Sequence, residues 1–118
     1  MAWKFKSGLA LTVQIVDKLR ADILKGEYVS GGQFPTVRQL AYDAGVNPNT
    51  MQKALVELED DKLIYTERTN GKFVTDDKKL LKKFREELAK EKVITFVDDM
   101  KFIGFSKEEI IEYLRKVG

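Results

Sequence analysis

Apolar side chains recur at three- and four-residue spacing in several stretches, as on the buried face of an amphipathic helix. The first stretch covers about residues 11–25 and stops before Gly26, a residue that commonly ends helices. The second covers 35–44 and opens with Thr36 and Gln39, the two members of a capping box. The third begins at Asn47, a strong N-cap, with Pro48 at the first helical position.

Two short β-prone runs follow the third helix. The runs 63–68 and 73–74 flank Thr69-Asn70-Gly71-Lys72, and an Asn-Gly pair between such runs is a strong hairpin signal. Three helices, a tight turn at Gly45 and a terminal hairpin are the parts of a winged helix-turn-helix. We therefore expect a mainly α fold with a small β-wing, and a DNA-binding domain over residues 1–76.

The remaining stretch, 77–118, is also helical in pattern. Its apolar positions from Leu81 to Met100 fit one bent helix or two, because their phase slips near residues 89–92. Gly104 ends that pattern, and a second capping box, Ser106 with Glu109, starts a last helix. Two such helices are too short to form a core of their own. We expect them to be a dimerisation tail whose apolar stripes pack against a second copy of the chain.

The amino-acid composition excludes several kinds of catalytic and metal-binding site. The 118 residues include no cysteine and no histidine, which excludes thiol nucleophiles, disulfides, zinc fingers and imidazole triads. The paired acids at 60–61 and 98–99 are adjacent, and adjacent residues on a helix do not face each other. We therefore expect no enzyme, no cofactor and no metal. The sequence shows no signal peptide and no membrane-spanning run, which predicts a cytoplasmic protein without a membrane partner.

Net charge alone is weak evidence for nucleic acid. It is only +2, and this value keeps open an alternative in which the winged helix binds another protein and no DNA. The distribution of charge favours DNA, because Asp43 is the single acid between residues 33 and 55, where Arg38 and Lys53 are basic. The case for DNA thus rests on the geometry of the third helix.

The polar side chains of the third helix point away from its apolar stripe. A helix fits the major groove, where Asn and Gln pair with adenine, Thr bonds several bases, and Lys suits guanine or phosphate. Arg38 can reach a phosphate or a guanine, and the wing can enter the minor groove. Asn47 has a purely structural alternative as a helix cap, and Arg38 has one as a partner of Asp43. The predicted DNA-binding residues are Thr36, Arg38, Asn47, Asn49, Thr50, Gln52, Lys53, Arg68, Asn70, Gly71 and Lys72.

Together these motifs resemble the GntR family of bacterial repressors over about residues 10–75. The matching segments are Phe34-Pro35-Thr36-Val37-Arg38-Gln39-Leu40-Ala41, Val46-Asn47-Pro48-Asn49-Thr50-Met51, Leu63-Ile64 and Gly71-Lys72-Phe73-Val74. The segment 47–50 and the short tail resemble the YtrA-like subfamily.

The resemblance implies a small homodimeric repressor on the double-stranded DNA of a palindromic operator. It allows a small-molecule effector only in a pocket of the tail or of an interface, because the metabolite-binding domain of larger members is absent. Lys62 and Thr69 depart from the family pattern, which usually has glycine at both positions.

Overall fold

A computed structural model describes residues 2–118 and contains five helices and one hairpin. The elements are α1 (Leu11–Lys25), α2 (Val37–Ala44), α3 (Pro48–Asp60), β1 (Ile64–Glu67), β2 (Gly71–Val74), α4 (Lys78–Phe102) and α5 (Lys107–Val117). The predicted mainly α fold with a small β-wing is confirmed. The chain divides into two compact units, the first reaching Leu81 and the second starting at Lys82.

The core of the first unit is built around α3. Met51, Ala54, Leu55 and Leu58 lie on one face of this helix and are all fully buried. The apolar stripes of α1 and α2 and the inward residues of the hairpin are buried in the same core, which confirms the predicted periodicity. Full burial of a leucine, isoleucine, valine or methionine side chain stabilises the fold by about 1.5–3 kcal/mol.

The hairpin has a different turn from the one that the Asn-Gly pair predicts. Gly71 is not a central turn residue, because it pairs with Glu67 across the sheet and leaves a three-residue loop, 68–70. Such loops need a left-handed residue at their end, and Gly71 supplies it with a φ of 91°. The connector before α2 adds to this sheet through an isolated bridge between Gln33 and Phe73.

Four helices end in the same way, with one residue in the left-handed conformation. In α1, α2 and α4 that residue is a glycine: Gly26, Gly45 and Gly104. In α3 it is Lys62, with a φ of 66°, the only positive φ of a non-glycine residue among residues 2–118. The N–H of Lys62 donates to the carbonyl of Glu59 at 2.9 Å, and the N–H of Leu63 to that of Leu58 at 3.1 Å. These two bonds form a Schellman motif in which glycine is usual.

The N-terminal segment lies against the turn between α2 and α3. The N–H of Trp3 donates to the carbonyl of Ala44 at 3.2 Å. A Cβ added to Gly45 would come within 2.8 Å of the Cβ of Ala2. The indole of Trp3 is 6.2 Å from the ring of Phe5, and the ammonium of Lys18 lies 5.0 Å from the indole centroid. The helix-turn-helix is therefore supported from outside its own helices.

The second unit contains most of α4 and all of α5. α4 is one helix of 25 residues, so the phase slip near residues 89–92 does not interrupt it. No residue of α4 is buried, and Ile110 is the single buried side chain of α5. α5 begins with the predicted capping box, in which the N–H of Glu109 donates to Ser106 Oγ at 3.2 Å. None of the described helices is long and apolar enough to cross a membrane.

Candidate nucleic-acid interface

The interface begins at the N-terminus of α2. Thr36 caps this helix: the N–H of Gln39 donates to Thr36 Oγ1 at 3.1 Å, and the N–H of Thr36 donates to Gln39 Oε1 at 3.3 Å. Arg38 is exposed in the first turn that this cap fixes. Its guanidinium has no ion pair or hydrogen bond with any residue in 2–118, so the alternative pairing with Asp43 is not formed.

Asn47 is the cap of α3. Its Oδ1 accepts a hydrogen bond from the N–H of Asn49 at 2.8 Å. The structural alternative for Asn47 is therefore realised, and the cap leaves the Nδ2 donor of this exposed side chain available. Pro48 follows at the first helical position and needs no N–H partner there.

The polar face of α3 is open on the side opposite the core. Asn49, Gln52 and Lys53 are exposed and Thr50 is half-buried, whereas the neighbouring Met51 is fully buried. The first turn carries no acidic side chain, so the positive end of the helix dipole is not offset there. An amphipathic helix with free amide, hydroxyl and ammonium groups near its positive end can bind both base edges and phosphates.

The tip of the wing is polar and exposed. Arg68 lies in the three-residue loop and forms no ion pair with any other described residue. Asn70 is held from both ends: its Nδ2 donates to Glu67 Oε2 at 3.1 Å, and its carbonyl accepts from Gln33 Nε2 at 2.9 Å. Gln33, from the connector before α2, thus fixes the wing tip. This contact joins residues 37 positions apart, so no local sequence pattern predicts it.

Lys72 differs from the other predicted cations, Arg38, Lys53 and Arg68, because its ammonium is already in an ion pair with another described residue. Its ammonium lies 2.8 Å from Glu59 Oε1 and 3.0 Å from Thr66 Oγ1. Glu59 was not among the residues predicted from sequence. The structure therefore leaves ten of the predicted residues exposed or half-buried without an ion pair among residues 2–118, and gives the eleventh, Lys72, an ion pair with Glu59.

Among residues 2–118 no group of three or more carboxylate side chains could hold a metal ion. One resolved pKa shift belongs to Tyr28, whose ring packs on Phe34 at a centroid distance of 4.8 Å. Burial raises the pKa of this phenol, and the negative charges of Asp22, Asp43 and Glu27 raise it further. The phenol is therefore protonated at neutral pH, as an unshifted tyrosine also is.

Comparison with known proteins identifies the same region. The model of the bacterial regulatory proteins of the gntR family matches residues 11–74, from the start of α1 to the end of β2. The transcriptional repressor YtrA of Bacillus subtilis is 29% identical over 114 residues, which are 96% of this chain and 88% of that protein. The YtrA-like subfamily expected from the sequence agrees with this similarity.

Two solved structures are similar to this chain, one over most of its length and one over the winged helix. A GntR family regulator from Listeria monocytogenes superimposes with a TM-score of 0.91 at 36% identity, covering 97% of this chain and all of that one. The DNA-binding domain of AraR, solved in complex with its operator ORX1, has a TM-score of 0.54 at 25% identity. It covers 61% of this chain and 93% of that domain.

Proposed function

Because this chain belongs to the GntR family of bacterial regulatory proteins and is a DNA-binding transcriptional regulator, we propose that it is a repressor that binds a palindromic operator as a homodimer. Repression is inferred from the relative YtrA, which is named as a repressor. The observation that carries the proposal is the open polar face of α3, together with the exposed and unpaired guanidinium of Arg38 in the first turn of α2.

Each polar group of α2 and α3 receives a role that its chemistry allows. Asn49 and Gln52 can each donate and accept towards an adenine, and Thr50 can bond a base or touch a thymine methyl. Lys53 suits a phosphate or a guanine. Arg38 suits a guanine or a phosphate of the same half-site. Thr36 and Asn47 cap the starts of their helices. In the proposed complex they also contact the DNA backbone.

The wing supplies the second part of each half-site. Arg68 and Asn70 lie in its tip, and Gly71 has no side chain to hinder the approach of the tip to the minor groove. Narrow minor grooves attract inserted arginine. The wing therefore adds contacts next to the base pairs that α3 recognises.

We infer the homodimer from the second unit. Residues 77–118 are its proposed dimerisation tail. A groove of about 370 Å³ between α4 and α5 has an almost wholly apolar lining, to which Val93, Phe96, Val97, Ile110, Ile111 and Leu114 contribute. Large apolar surface left open on a small unit marks an interaction site. Two-fold pairing of identical tails covers this groove with the same surface of a second copy, so no other partner is needed. A two-fold dimer in turn matches a palindromic operator.

Selection of bound fragments from random DNA tests the proposal most directly. We expect an inverted repeat whose half-sites lie about one helical turn apart. In a gel shift at moderate salt, the selected duplex should be displaced by itself and not by unrelated DNA. Equal displacement by both duplexes would contradict a sequence-specific repressor.

Arg38 offers the sharpest test of the contacts. Arg38→Ala should weaken operator binding by about 1–3 kcal/mol if the guanidinium binds a base. Arg38→Lys is the matched control, because it keeps the charge and loses the planar fork that binds guanine. If Arg38→Lys binds as tightly as the parent protein, Arg38 contacts a phosphate, and full binding by Arg38→Ala would remove it from the interface.

A further inference from the structure

A closed cluster of three polar side chains joins the last turn of α3 to the outer half of the wing hairpin. Glu59 lies in the last turn of α3, Thr66 in β1 and Lys72 in β2. The Lys72 ammonium is 2.8 Å from Glu59 Oε1 and 3.0 Å from Thr66 Oγ1, and the Thr66 hydroxyl is 3.4 Å from Glu59 Oε2. Each member thus contacts both of the others.

The cluster is built into the hairpin register. Thr66 and Lys72 are directly opposite each other in the two strands, so their side chains share one face of the sheet. The side chains of Lys72 and Glu59 are 16% and 33% exposed, whereas those of the Lys83–Glu87 pair in α4 are 79% and 66% exposed. Two of the three N–H donors of the ammonium are already used before any DNA arrives.

This placement separates Lys72 from the other cations of the interface. With one N–H left, its ammonium could bind a phosphate only through that single donor and next to the carboxylate of Glu59, whose negative charge repels the phosphate. As an ion pair with Glu59, Lys72 also adds no net positive charge that could release counterions from DNA. A fixed pair can instead reduce the conformational freedom that binding would otherwise remove.

We propose that Lys72 is a positioning residue, which holds the wing at a fixed angle to α3 through Glu59 and Thr66 and does not itself bind a phosphate. The inference rests on the proposed function, because it concerns how the two DNA-contacting parts are aligned. The chain connects α3 to the wing through the short segment 61–63. The cluster of Glu59, Thr66 and Lys72 adds a second, non-covalent connection between α3 and the wing.

The salt dependence of operator binding distinguishes positioning from phosphate contact. Lys72→Met and Arg68→Met each remove one positive charge from the same hairpin. We expect Lys72→Met to lower operator affinity about tenfold, equivalent to about 1.4 kcal/mol, without changing the slope of log affinity against log salt concentration. Arg68→Met, which removes an unpaired cation, should reduce the magnitude of that slope by about one. A reduction of the same size in Lys72→Met would overturn the positioning role.

Exchange of the two charges provides the second measurement. Lys72→Glu alone places two carboxylates together, and Glu59→Lys combined with Lys72→Glu restores an ion pair of the opposite sense. The double variant should bind the selected duplex at least about threefold more tightly than Lys72→Glu, since contacting pairs are energetically coupled. Equal affinity of these two variants would refute the inference.

Two controls keep the outcomes separate. Thermal unfolding of every variant identifies those that are folded at the temperature of the binding assay, and only these are compared. The parent protein is titrated first with the selected duplex and with unrelated DNA. If it does not distinguish them, the proposed function itself fails. If it does and the slope falls in Lys72→Met, only the role of Lys72 fails.

Discussion

The two units of the chain use the same helical spacing of apolar residues and reach opposite results. In the winged-helix unit, α1, α2, α3 and the hairpin bury their stripes against one another, and Leu55 at the centre is fully buried. In the second unit, α4 buries nothing and α5 buries Ile110 alone, while Phe102 is 92% exposed and Leu114 57%. Periodicity therefore predicts that a helix has an apolar face, but not what covers that face.

The two units should therefore differ in how their stability depends on protein concentration. A unit that closes its own core should unfold at a temperature that does not depend on protein concentration. A unit whose apolar face is covered by a second copy should gain stability as concentration rises, because association favours the folded state by mass action.

The largest expected effect is in the core of the winged helix. Leu55→Ala should lower the free energy of unfolding by about 3 kcal/mol, because it leaves a cavity where no side chain is exposed. Denaturant unfolding at two protein concentrations would measure this loss, and the loss should be the same at both. Val56→Ala on the same helix, at a side chain that is 45% exposed, is the matched control and should cost far less.

The next effect tests the tail. Leu114→Lys should weaken self-association by about 2 kcal/mol per protomer, the contribution of one buried leucine side chain. Light scattering across a range of micromolar concentrations would show the shift from dimer to monomer. Glu112→Gln changes the net charge by the same amount on the same helix and should leave the dimer intact. A parent protein that is monomeric throughout that range would contradict the assignment of the tail.

A smaller effect is expected at the helix-turn-helix. Gly45→Ala should destabilise the first unit by about 1–2 kcal/mol, since a left-handed φ of 73° disfavours any Cβ and Ala2 leaves no space for one. Gly26→Ala has a similar φ of 85° and nothing within 4 Å of the new Cβ, so it isolates the backbone contribution. Equal losses in thermal unfolding would show that the contact with Ala2 has no energetic weight.

The smallest effect has the opposite sign. Lys62→Gly should stabilise the winged helix by about 1 kcal/mol, because it replaces the one non-glycine residue with a left-handed backbone among residues 2–118. Lys62→Ala removes the same side chain atoms beyond Cβ and keeps the strain, so it should give no such gain. A midpoint of denaturation that stays unchanged in Lys62→Gly would argue against strain at this helix end.

Much of the fold was predictable because its determinants are local. The capping boxes at Thr36 and Ser106, the Asn47-Pro48 start of α3 and the apolar stripes all act within a few residues of the chain. The polar face of α3 was predictable from the same helical periodicity, since residues that are not on the apolar stripe point away from the core.

The contacts that the sequence did not predict depend on strand register and on distant segments. A two-residue Asn-Gly turn would pair Thr69 with Lys72, whereas the observed three-residue loop pairs Thr66 with Lys72. The residue opposite Lys72 thus moves by three positions, which is an odd number. The side chains next to Lys72 on its face of the sheet are therefore different from those that the two-residue turn predicts. Glu59 could be recognised as its partner only with the correct register, and Gln33 reaches the wing tip only in the folded chain.

The position of Trp3 gives the protein an optical probe of its own. Trp3 is the only tryptophan in the sequence, and its backbone is hydrogen-bonded to Ala44 at the turn that sets the direction of α3. The ammonium of Lys18 lies over its indole. Release of the N-terminal segment from that turn would move the indole from this environment into water, and a red shift of its fluorescence emission would record the event in unlabelled protein.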